Sequence, residues 1–223
     1  MTHLDTELQR LKEEIISMWN LVISQLKKTH LALVTFDKDL AFEVKANEKR
    51  VNSLELKIDR DCENIFALFN PVAIDLRFVL AVLKINNNLE RTGDISEGIA
   101  RFITESKSDF DKELLSKVQI IEMFEEANDM LEDLLHAFEK EDMNLARTIF
   151  KRDDFLDEVN LKSNEVIVEY IRSHPGRTEQ ALYLLSSIRK LERVGDQSKN
   201  IAEELIFYVE AKVMKHTDAS QGK

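Results

Sequence analysis

The sequence predicts an all-α protein: two tandem three-helix bundles related by internal duplication and a pseudo-two-fold, with six long helices. Three observations carry that expectation. Apolar residues recur at spacings of three and four almost throughout, the period of a helix with one buried face. Only 5 Gly and 2 Pro occur among 223 residues, so few turns interrupt the pattern. The segment LERTGDISEGIA, which begins at residue 89, returns at 191 as LERVGDQSKNIA, with 8 of 12 positions identical. That period of about 102 residues is too long for a solenoid and marks each copy as a small domain.

The first helix carries Leu8, Leu11, Ile15, Met18, Val22, Leu26, Leu33 and Phe36 on one stripe. The second runs from about Leu40 to Phe69, with Val44, Val51, Leu54, Ile58, Cys62 and Ile65 inward. Asn70-Pro71 stops it, because proline disfavours helix at the preceding residue. The third spans about 73–103, and the polar segment 104–113 reads as a linker. The order then repeats: a fourth helix over about 114–139, a fifth over 144–172, a stop at Pro175-Gly176, and a sixth over 178–213. Phe36-Asp37-Lys38-Asp39 matches Phe138-Glu139-Lys140-Glu141, and both prolines precede the third helix of a half. The expected domains are 1–106 and 107–214, followed by a polar, disordered tail at 215–223.

A net charge of -11 disfavours nucleic acid or anionic lipid as the main partner and is compatible with cations. The single cysteine, Cys62, permits no internal disulfide and reads as a buried, inert thiol. No apolar run approaches the roughly 18 residues of a membrane span, and the N-terminus lacks a signal-peptide core. The expectation is a cytoplasmic protein without direct membrane insertion.

The repeated Glu-Arg-x-Gly-Asp carries the chemistry. Gly93 and Gly195 sit inside helices, where glycine costs about 1 kcal/mol against alanine. Glu90 and Asp94, like Glu192 and Asp196, stand four residues apart on one face and repel. The second helix of each half offers a further pair at that spacing: Glu48 with Asn52, and Asp153 with Asp157. In antiparallel packing these pairs meet, giving each half an oxygen-only flank suited to Mg²⁺, Ca²⁺, Mn²⁺ or iron. The glycines would allow close approach of a neighbouring helix or ligand. Acidic pairs are also common on solvated helix faces, so the competing reading is a surface that binds nothing. The five histidines are expected in loops or on the surface, and no catalytic triad, phosphate loop or nucleophile elbow is present.

The doubled LERTGD and LERVGD, with PVAIDLR at 71–77 and NIAE at 200–203, resemble the PhoU family of phosphate-uptake regulators. The resemblance covers nearly the whole chain and implies the same pair of three-helix bundles. It also implies metal ions, including iron, on Glu48, Asn52, Glu90 and Asp94, and on Asp153, Asp157, Glu192 and Asp196. Asn52 is neutral, so the second set is expected to be the stronger cation site. Asp75 and Arg77 of the PVAIDLR element, with Arg91 and Arg193, are possible partner or structural residues. The implied function is a non-enzymatic negative regulator of phosphate uptake, linking the phosphate ABC transporter on its ATPase side to a membrane sensor histidine kinase. A homodimer is implied as well. The alternative is a carboxylate-bridged metal enzyme or iron-storing bundle, disfavoured because no Glu has His three residues later.

Overall fold

The computed structural model describes residues 2–214. Within them the chain forms seven α-helices: α1 (His3–Thr35), α2 (Lys38–Phe69), α3 (Ala73–Glu105), α4 (Lys112–Lys117), α5 (Ile120–Lys140), α6 (Met143–Ser173) and α7 (Thr178–Glu210). Helices α1–α3 form one antiparallel bundle and α5–α7 the other. The expected tail at 215–223 lies outside the described residues.

Local chemistry explains most boundaries. Thr2 and Asp5 form a reciprocal capping box at α1, with bonds of 3.1 and 2.7 Å. Asp37, Asp111 and Asp142 cap α2, α4 and α6 through their carboxylates. Phe36 ends α1 and Glu141 ends α5, both in the left-handed region. The structural counterpart of Phe36 is therefore Glu141, three residues beyond the Phe138 that the sequence match suggested.

Three further expectations are corrected. The single fourth helix is two, broken at Val118–Gln119, where Gln119 adopts a left-handed φ of 52°. The break lets both Leu114-Leu115 and Ile120, Met123 and Phe124 reach the core, which one straight stripe could not do. The linker contracts to 106–111, and α7 stops at Glu210 with Ala211 left-handed behind it.

The two bundles share one continuous core. Helix α3 packs antiparallel against α7, and α1 against α5. The Trp19 indole, fully buried, donates to the Leu131 carbonyl at 3.1 Å and tilts against Phe138. Burying an indole N–H requires such a partner. Both α3 and α7 are buried on two sides, and small residues (Gly93, Ser96, Gly98; Gly195, Ser198) line their contacts.

Candidate functional site

The repeated motifs put Gly93 and Gly195 near the middle of α3 and α7, each beneath an acid from the second helix of its bundle. The Glu48 carboxylate lies over Gly93: a β-carbon there would stand 3.1 Å from Oε2. The Asp153 carboxylate lies over Gly195, closer still, with Oδ1 at 2.0 Å from such a β-carbon. Each mid-helix glycine thus makes room for a buried carboxylate. Both acids are almost fully buried, and each leaves one oxygen, Glu48 Oε1 and Asp153 Oδ1, without a hydrogen-bond partner. A buried carboxylate oxygen without a partner is costly, and a charge on it more so unless a counter-charge meets it.

The two flanks differ in how they meet that need. In the second, Lys199 reaches Asp153 Oδ2 and also Asp196 Oδ1, the latter at 3.0 Å. An ammonium therefore lies between two of the predicted cation ligands. Burial raises the Asp153 carboxyl above its ordinary range, against the pull of Lys199. Asp157 is exposed and Glu192 half-buried; burial and then the neighbouring Asp196, Asp157 and Asp153 raise Glu192.

The first flank has no such lysine, because Glu97 occupies the repeat position that Lys199 holds in the other half. Glu48 receives only a hydrogen bond from Gln25 Nε2, at 3.3 Å. Burial, followed by the like charges of Asp94, Glu90 and Glu97, pushes its carboxyl up to about 7. Glu90 is raised as well, by burial, Asp94 and Glu55. Asn52 is exposed and adds no charge. The two copies thus differ: an ammonium already reaches Asp153 and Asp196, whereas among the described residues no salt bridge reaches Glu48.

Among the described residues, no three carboxylate, imidazole or thiol groups converge into a ready metal-holding set. The carboxylates share a flank, and mutual repulsion opposes closer approach without a cation. The donor chemistry of the first flank, oxygen only with one orphaned buried oxygen, fits a hard cation.

The wider architecture is that of a known family. A family model described as the PhoU domain matches twice, over residues 15–103 and 120–205. The chain belongs to the PhoU family. It is 35% identical over 216 residues to the phosphate-specific transport system accessory protein PhoU homolog 1 of Thermotoga maritima, spanning 96% of this chain and 91% of that protein. It is 30% identical to the Escherichia coli phosphate-specific transport system accessory protein PhoU, over 97% of this chain and 89% of that one. The crystal structure of PhoU from Pseudomonas aeruginosa superposes with a TM-score of 0.85 at 27% identity, covering 94% of this chain and all of that one.

Within this PhoU fold the remaining predicted residues separate. Arg77 donates from Nε to the Tyr208 carbonyl at 3.1 Å, satisfying a carbonyl in the last turn of α7. That is a structural cap joining the two halves. Asp75 lies beside Tyr208, whose hydroxyl donates to Glu141 at 3.1 Å; burial and then Glu141 and Asp75 push the phenol up to about 12. Arg91 and Arg193 line one cleft between α3 and α7.

Sequence reasoning missed Lys199, Glu55 and Glu97. Lys199 stands three residues after Asp196, a spacing that places both on one face, and Glu55 continues the Glu48 face by two turns. Among the described histidines, His3, His136 and His174 are exposed, but His30 is half-buried and stacks on Phe124 at 5.1 Å, so its surface placement is corrected. Cys62 is buried as expected, and burial pushes its thiol up to about 12.

Proposed function

We propose that this chain is an accessory protein of a phosphate-specific transport system that restrains phosphate uptake and the phosphate-starvation response. It would work at the cytoplasmic face as a homodimer, touching the transporter's ATPase side and a membrane sensor histidine kinase. The observation that carries the reading is the match of two PhoU domains along the chain, together with relatives named for that system over nearly their full length. Among the described residues no helix is long and apolar enough to cross a membrane, which accords with attachment through partners.

The reading includes a metal, iron, Mn or Mg, held on the first flank by Glu48, Glu90 and Asp94, with the second flank occupied by Lys199. A hard cation would supply the counter-charge that Glu48 lacks and bias the α2–α3 contact, and through it the shared α3–α7 seam. The reading contains no catalytic step. The rival di-metal enzyme finds little support, because no Glu has a His three residues later, the pairing that di-metal helical bundles use.

Deletion in the host tests the regulatory role. Raised phosphate-starvation reporter activity and uptake in high phosphate, restored to normal by the intact gene, are expected. Reporter and uptake levels unaltered by the deletion would sink the proposal. Complementation with Glu48→Gln/Glu90→Gln then separates the metal from the adaptor role. Full restoration removes the metal from the mechanism and leaves the accessory role standing.

A further inference from the structure

We propose that the cleft between α3 and α7 binds a small phosphate-class oxyanion, inorganic phosphate or a phosphate monoester, through Arg91, Arg101, Lys190 and Arg193. These four cations line one concavity of about 250 Å³, with Asp94 and Glu97 on its α3 side. In a chain carrying 42 acidic and 31 basic residues, basic groups have acidic partners in excess. Yet among the described residues none of these four forms a salt bridge. They face one another instead. Asp94 and Glu97 lie in the same lining without a salt bridge to any of the four.

The cleft is also shaped to hold that charge. Gly98 floors it: a β-carbon there would stand 2.5 Å from Lys190 Nζ, so the lysine lies across a helix with no side chain in its way. Duplication alone does not account for the cluster. The repeat equates Lys190 with Asn88, Gly98 with Asn200 and Arg101 with Glu203. Asn88 and Asn200 meet at 3.5 Å as a neutral pair. Only the motif arginines, Arg91 and Arg193, are repeated, and both halves deliver theirs to this cleft.

The ligand class follows from the donors and the size. Guanidinium forks match the oxygens of a phosphate and give strong, charge-assisted hydrogen bonds. Four cations against two carboxylates leave a formal excess of +2, which suits a phosphate monoester carrying about -1.5 to -2 at neutral pH. The volume falls below the roughly 300–1,000 Å³ of drug-sized pockets, which favours a small anion. This assignment stands on the cleft and not on the transport role, so each can fail without the other.

Isothermal titration calorimetry of the full chain tests it, with inorganic phosphate in one arm, glycerol phosphate in the other, and chloride at matched ionic strength as reference. Saturable binding of at least one phosphate compound and none of chloride is expected, and the tighter arm identifies the source. Arg91→Gln/Arg193→Gln, at exposed positions, should weaken binding about tenfold or more, with circular dichroism unchanged. Glu97→Gln should tighten it, an effect that a purely structural role would not give. The exposed Arg60→Gln on α2 should leave it as it was. Absence of saturable heat in both arms at millimolar ligand overturns the proposal. So does undiminished binding by the double variant, or a failure of Glu97→Gln to tighten it.

Discussion

Asp153 Oδ1 occupies the space where a side chain on Gly195 would begin, 2.0 Å from the position of its β-carbon. The glycine is therefore a contact surface for a carboxylate that α6 presses onto α7. Gly195→Ala would gain about 1 kcal/mol of helix propensity but drive the methyl into Asp153, whose other oxygen is held by Lys199. The clash should win, and thermal unfolding should show a lowered midpoint. At Gly93 the nearest atom, Glu48 Oε2, is 3.1 Å away, so Gly93→Ala should cost clearly less. Equal midpoints for the two variants would contradict the packing described.

Lys199 neutralises a carboxylate that burial would otherwise penalise. Lys199→Met should destabilise the fold by on the order of 1–3 kcal/mol, from the uncompensated Asp153 charge. Asp153→Asn in the same chain should recover much of that loss, because the amide carries no charge to satisfy. A double-mutant cycle from urea denaturation measures the coupling. Strictly additive effects would show that the ammonium and the carboxylate act independently.

Glu48 gives the fold a particular pH response. Its carboxyl sits at about 7 in the fold against an ordinary 4.5, through burial first and then Asp94, Glu90 and Glu97. Below 4.5 it is protonated in folded and unfolded chains alike. As pH rises from 4.5 towards 7 the unfolded chain loses this proton and the folded chain keeps it, so stability falls across that window and the penalty is complete above it. Glu48→Gln removes this component. In chelator-treated protein the variant should match wild type at about pH 4 and exceed it above neutrality by on the order of 1–3 kcal/mol. A stability difference that is constant with pH would contradict the assignment.

The helices were legible because one buried stripe at helical spacing and two prolines mark them directly. The break at Val118–Gln119 was not, since no Gly or Pro marks it and Gln119 turns left-handed for the sake of tertiary packing. The duplication suggested two separable bundles. What it hid was the second buried side of α3 and α7, written in small residues such as Gly98 and Ser198 that a hydrophobic pattern does not register. For the site, spacing found the acids and the glycines that receive them. It compared the acids alone, where Asn52 sets the first flank apart, and did not register the difference of Glu97 against Lys199.

That difference orders the two proposed cation sites. A metal entering the second flank must displace Lys199 from both Asp153 and Asp196, and so pays for stranding an ammonium near them. A metal entering the first flank displaces nothing and relieves repulsion among Glu48, Glu90 and Asp94. Equilibrium dialysis against Mn²⁺ should therefore show binding that Glu48→Gln/Glu90→Gln abolishes and Asp157→Asn/Glu192→Gln leaves nearly intact. Lys199→Met should increase the metal bound per chain, because it frees a buried carboxylate to act as a ligand. The reverse ranking, with binding lost through the second set, would mean that the ammonium yields its place readily and that the acid count, rather than the built-in cation, decides where metal goes.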